Sequence, residues 1–211
     1  MLDITLRPLK DNVFDPLTKL IPASVKPLHI TLAAFIAGIS GCYCAATGSV
    51  GMSLTLWALN RVLDCLDGAV ARRRNQVSDL GGFLDLLGDF IVYSSIPISC
   101  ALAAQKLGIP FPNGRWLAVA MLEASFHINN FVLFYIATIL EKSKAARKES
   151  VVKELTSVSM RPALIEGTES AIIFTAMLAY PQYARELSWF MVVLVSVGIA
   201  QRVVWVVPFL K

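Results

Sequence analysis

Six stretches of the chain are apolar over lengths that suit a lipid bilayer, at about 30–48, 50–70, 82–104, 116–140, 163–181 and 187–209. Each approaches the ~20 residues that a hydrocarbon core requires of a helix. The pattern predicts an all-α polytopic membrane protein with six transmembrane helices. The second run is the least uniform, because Asn60, Arg61, Asp64 and Asp67 interrupt it. Polar residues inside a span face a bundle interior or a wet cavity, so this interruption marks the second helix as functional. Ahead of the first run, residues 4–20 mix Ile4, Leu6, Leu9, Val13, Phe14, Leu17 and Leu20 with Arg7, Lys10, Asp11, Asp15 and Lys19. That spacing predicts a helix lying in the membrane interface. Pro8 and Pro16 argue for the competing reading, a partly ordered tail. The chain therefore divides into an N-terminal interfacial segment, 1–28, and one membrane domain, 29–211, without internal repeats.

Composition agrees with that division. Of 211 residues 56% are hydrophobic, and a mean hydropathy of +0.63 is too high for an ordinary soluble domain. Charge adds orientation. Arg7, Lys10, Lys19 and Lys26 precede the first run, Arg72, Arg73 and Arg74 follow the second, and Lys142, Lys144, Arg147, Lys148, Lys153 and Arg161 separate the fourth from the fifth. Lys211 ends the chain, whereas the opposite connections carry Lys106, Arg115 and Arg185. Cytoplasmic loops collect Lys and Arg, so both termini and the carboxylates described next are expected on the cytoplasmic side. The net charge of +4 follows from this asymmetry. A basic collar beside a membrane suits anionic headgroups and phosphorylated substrates and gives no reason to invoke nucleic acid. Cys42, Cys44, Cys65 and Cys100 all fall within the apolar runs, without metal-ligand spacing, and read as small packing residues. The first residues lack the charged-then-apolar order of a signal peptide, so no cleavage is expected.

The chemistry concentrates in residues 64–89, where Asp64-Cys-Leu-Asp67-Gly68-Ala-Val-Ala71-Arg72 is followed after eight residues by Gly81-Gly-Phe-Leu-Asp85-Leu-Leu-Gly-Asp89. Asp64 and Asp67 are three apart and Asp85 and Asp89 four apart, so each pair projects from one face of a helix. Two such helices side by side form a cup of four carboxylates, which needs cations to be stable in apolar surroundings. Hard oxygen ligands favour Mg2+ or Mn2+ over softer metals.

The spacing D-x2-D-G-x2-A-R-x8-G-x3-D-x3-D resembles the signature of the CDP-alcohol phosphatidyltransferase family, and every fixed position matches. The resemblance implies an enzyme that moves a substituted phosphate from a CDP-linked donor to an alcohol and releases CMP. It also implies two divalent ions held by Asp64, Asp67, Asp85 and Asp89, with Asp89 as general base on the acceptor hydroxyl. A carboxylate bound to a metal is a weak base, and an acceptor hydroxyl polarised by the same metal would need less help from it. Nucleotide contacts are implied for Gly68, Ala71, Arg72, Ser78 and Gly81. Small residues let a nucleotide approach the helix backbone, and an arginine fork suits a diphosphate. The competing reading of the small residues is helix packing. For Arg73 and Arg74, topology and headgroup contact are sufficient explanation. Thr31, in Lys26-Pro-Leu-His29-Ile-Thr31, resembles the family's entry to the first helix, and its readings as a helix-start residue and as a nucleotide contact weigh equally.

The resemblance implies CDP-diacylglycerol as the donor, and a homodimer in the bilayer as well. Two rivals stand beside it: a CDP-choline or CDP-ethanolamine donor meeting diacylglycerol, and a cation transporter whose intramembrane acids form an ion path. The transporter accounts for the carboxylates but not for the glycines, alanine and arginine at fixed spacing. Elsewhere, Glu166 and Glu169 share a face of the fifth helix; ion pairing with Arg61 or Arg202 ranks first for them and acceptor binding second. Glu123, His127, Asn129 and Asn130 make a polar patch in the fourth run. His127 reads as a hydrogen-bonded interior histidine, since no second His or Cys lies at ligand spacing.

Overall fold

Proline, glycine and asparagine set where the helices begin and end in the computed structural model, which describes residues 14, 16–110, 112–146 and 167–207. Every long regular element there is an α-helix: α1 Pro27–Ala46, α2 Val50–Arg73, α3 Asp79–Lys106, α4 Pro112–Ala146, α5 Gly167–Ala179 and α6 Ala184–Val206. A short 3-10 turn, Pro181–Tyr183, joins the last two. Pro27 and Pro112 open their helices, where the missing N–H costs nothing. Three helices close alike, on a residue of positive φ: Gly48 at 89°, Asn75 at 51° and Gly108 at 68°. In each, the N–H groups of that residue and of the one after it return to carbonyls of the last turn, as Asn75 to Arg72 and Gln76 to Ala71 do at the end of α2. This is the Schellman arrangement. It stops α2 just past its carboxylates and turns the chain back within five residues, so that α3 runs alongside.

The six helices coincide in order and place with the six apolar runs. Four segments are long and apolar enough by themselves to cross a membrane: Pro27–Ala46, Asp79–Lys106, Asn113–Ile139 and Pro181–Val206. The other two fall short for separate reasons. Helix α2 carries the interrupting polar residues, and the described part of α5 has 13 residues, about 20 Å at 1.5 Å per residue. The expected interfacial helix lies largely outside the described residues, as do Glu166 and most of the charged stretch between α4 and α5.

The helices pack around Trp57, Val92, Ile96, Cys100, Leu122, Phe174, Met177, Met191 and Val195. Small residues bring α1 against its neighbours; a Cβ on Gly38 would sit 2.7 Å from a methyl of Val92 and 3.0 Å from the Asn60 amide. Outward-facing positions are themselves apolar, as Leu32, Ile36, Phe131, Phe190, Val193 and Val204 illustrate. A solvent-exposed face would not be built this way, whereas a lipid-facing one would. Cys42 and Cys100 are buried and all four cysteines are unbridged. Arg73 and Arg74 do more than mark topology. Arg74 donates to the carbonyls of Val25 and Ile21, both at 2.7 Å, and Arg73 to the Thr18 hydroxyl at 2.8 Å. Together they clamp the approach to α1 onto the end of α2, which corrects the expectation that headgroup contact is explanation enough.

Candidate active site

Asp64 and Asp67 stand near the C-terminal end of α2, and Asp85 and Asp89 in the opening turns of α3. All four therefore collect at the end of the bundle where the connection 74–78 joins these helices. Each carboxylate has a partner. Asp67, 5% exposed, accepts from the Thr31 hydroxyl of α1 at 2.6 Å. Asp89 accepts from Arg61 Nη2 at 2.5 Å, and Arg61 Nη1 lies 3.7 Å from Asp64. The carboxyl groups of Asp64 and Asp85 meet within hydrogen-bonding range.

Among the described residues, no three His, Cys, Asp or Glu side chains converge as a closed metal-ligand set. Arg61 accounts for part of this by holding one oxygen of Asp89. The donor set nonetheless fits a hard divalent ion: four carboxylates, no nitrogen or sulfur among them, with one pair already in contact.

The remaining predicted residues line the same end. Arg72 is exposed and folds back, so that a Cβ on Gly68 would lie 3.1 Å from its Nη1. Ser78 caps α3 by accepting from the Gly81 N–H at 3.1 Å. A Cβ on Gly81 would approach the same Ser78 hydroxyl to 3.1 Å, so Ser78 and Gly81 are coupled through the helix start. Thr31 also contacts the Pro27 carbonyl at 3.3 Å, which leaves its hydroxyl serving Asp67 and its own helix. His29 lies three residues after Lys26 and accepts from that residue's N–H at 3.4 Å, tying off the start of α1.

Sequence reasoning missed the support around Arg61. Its Nε donates to Asn60 at 2.8 Å and its Nη1 to the Tyr93 hydroxyl at 2.7 Å. The guanidinium also lies over the rings of Trp57 and Tyr93. A signal existed: Arg61 is three residues before Asp64 and Tyr93 four after Asp89, the spacings that share a helix face. Arg61 contacts Asp89 and Asp64, and Glu166, one of its expected partners, lies outside the described residues. In α4, Asn129 accepts from Arg202 of α6.

Comparisons with known proteins agree with this architecture. The family model for CDP-alcohol phosphatidyltransferase matches residues 25–195. Inner membrane protein YnjF of Escherichia coli is 31% identical over 184 residues, 87% of this chain and 84% of that protein. Archaetidylinositol phosphate synthase of Methanothermobacter thermautotrophicus is 37% identical over 79 residues, 37% of this chain and 40% of that protein. CDP-diacylglycerol–serine O-phosphatidyltransferase of Bacillus subtilis is 28% identical over 85 residues, 40% of this chain and 48% of that protein. The crystal structure of Mycobacterium tuberculosis phosphatidylinositol phosphate synthase with CDP-DAG bound shares the fold, with a TM-score of 0.64 at 18% identity over 91% of this chain and 92% of that one. A second structure of that synthase, with manganese and citrate, gives a TM-score of 0.65 at 18% identity over 90% and 87% of the two chains. With its complete motif inside the matched region and its carboxylates gathered where two adjacent helices meet, the chain belongs to the CDP-alcohol phosphatidyltransferase family, the membrane transferases of phospholipid synthesis.

Proposed function

We propose that this chain transfers a phosphatidyl group from CDP-diacylglycerol to the hydroxyl of a small polar alcohol at the cytoplasmic face of the membrane. The observation that carries this reading is the gathering of Asp64, Asp67, Asp85 and Asp89 at one end of α2 and α3, beside the exposed Arg72. Such a cluster repels a diphosphate unless divalent cations lie between them. Asp64, Asp67, Asp85 and Asp89 would hold Mg2+ or Mn2+, two ions on the family pattern. Bound there, the ions would neutralise the donor's charge and polarise the attacked phosphorus. The manganese in the related synthase structure supports this choice of metal.

The chain's own groups have assignable work. Arg72 offers a fork to the donor diphosphate, and Gly68, Ala71 and Gly81 leave room for the nucleotide against the helix backbones. The acceptor oxygen bonds to the phosphorus that carries diacylglycerol, and the bond from that phosphorus to the CMP oxygen breaks. Asp89 takes the acceptor's proton. Thr31 holds Asp67 in place. Two acyl chains reach the cluster from the lipid between apolar helix faces, and a homodimer in the bilayer completes the reading.

The test is CMP release by the purified protein from CDP-diacylglycerol with Mg2+ or Mn2+, across a panel of alcohols. Inositol phosphate and serine head that panel, because two relatives carry those headgroups in their names. Release should depend on one alcohol and fall by at least ~100-fold in Asp85→Asn and in Asp89→Asn, the scale on which transition-state charge stabilisation and proton transfer act. No release with any alcohol would overturn the donor assignment.

A further inference from the structure

Arg61 is held more completely than an ion pair requires. Three of its nitrogens donate to Asn60, Tyr93 and Asp89 at 2.8, 2.7 and 2.5 Å. Its guanidinium carbon lies 4.8 Å from the Trp57 ring centroid and 5.2 Å from that of Tyr93. The holders are themselves held: Asn60 donates to the Ala34 carbonyl of α1 at 2.8 Å, and Trp57 to the Thr175 hydroxyl of α5 at 2.8 Å. A positive charge is thus fixed inside the carboxylate cluster by groups from four helices, and the Arg61 side chain is 21% exposed.

We infer that Arg61 is a built-in counter-cation that limits the affinity of the cluster for divalent ions, which keeps the metal exchangeable. The inference rests on the metal-binding reading above. Arg61 offsets one of four negative charges and occupies Oδ1 of Asp89. Two effects of opposite sign meet here. Removing a group that orients a metal ligand weakens binding by about 10–100-fold. Removing a unit positive charge from beside a doubly charged ion strengthens binding on the order of tenfold even at the dielectric of bulk water, and more in a half-buried site. Comparing a charged with an uncharged replacement cancels the first effect, since both lose the arginine fork.

The experiment is Mn2+ binding to the full chain in detergent without donor, read by the electron paramagnetic resonance of free Mn2+, for native protein, Arg61→Lys and Arg61→Met. Arg61→Met should bind Mn2+ about tenfold more tightly than Arg61→Lys, or tighter still. Arg61→Gln replaces Arg61→Met if the latter does not fold, with the same expectation. A merely structural role would lower affinity in both variants alike. Equal affinities, or weaker binding in the uncharged variant, overturn the inference while leaving the transferase reading intact, provided native protein binds Mn2+ and releases CMP. Native protein that binds no Mn2+ overturns the metal reading and this inference together.

Discussion

Thr31 shows how much one hydroxyl carries in this site. Its Oγ1 donates at 2.6 Å to Asp67, a carboxylate only 5% exposed that would otherwise lose a charge-assisted hydrogen bond. Such bonds contribute about 1.5–3 kcal/mol. Thr31→Val should destabilise the protein by that amount in detergent unfolding and lower CMP release, and Thr31→Ser should restore most of both. A valine variant with native activity would show that Asp67 is held by other means. The residue was visible in the sequence, but its role was not. Thr31 and Asp67 are 36 positions apart, and no periodicity within one helix relates them. Arg61 differs in kind: it shares a helix face with Asp64, so its neighbourhood was legible, while its commitment to Asp89 depends on how α2 and α3 are rotated against each other. The four carboxylates themselves were legible because their short spacings fix their faces before any packing is known.

Among the elements, positions were legible and boundaries less so. The run at 30–48 became Pro27–Ala46 and the run at 116–140 became Pro112–Ala146, since caps and turns rather than hydropathy end a helix. Ser78 illustrates the point. Proposed for a nucleotide contact on family grounds, its hydroxyl caps α3 by accepting from Gly81 N–H. Ser78→Ala should cost about 1 kcal/mol through the lost cap, measured by thermal unfolding in detergent. Asp and Asn at position 78 cap as well as serine, so Ser78→Asp should keep stability. If Ser78→Ala unfolds like native protein but binds donor more weakly, the hydroxyl serves the nucleotide first. The apolar run at 163–181 predicts a full span, of which the structure describes the helix Gly167–Ala179, residues 163–166 lying outside the described residues.

For the whole molecule, the distribution of Lys and Arg remains the argument for sidedness. The ends of α2 and α4 are arginine- and lysine-rich, while the α3–α4 connection is flanked by Lys106, the last residue of α3, and by the buried Arg115 in the first turn of α4, whose guanidinium is tied to the carbonyls of Ile109 and Pro110. In a bacterial inner membrane, alkaline phosphatase fused after Lys211 should be inactive and a fusion after Gly108 active, because the enzyme matures only outside the cytoplasm; the reverse pattern would invert the proposed topology. The close sequence of α2 and α3 also carries a consequence for biogenesis. Apart from Thr31, the four carboxylates and the side chains that touch Arg61 directly, from Trp57 to Tyr93, lie within a single helical hairpin, and only the outer supports Ala34 and Thr175 lie beyond it. Thr31 precedes it, so the carboxylates, Arg61 and their direct contacts are synthesised before α4 begins. At about 5–20 residues per second the hairpin leaves the ribosome within several seconds. Four acids thus reach the membrane together with Arg61, their own cation, so the nascent chain does not depend on the remaining helices, or on metal supply, to begin neutralising the charges it must bring into lipid.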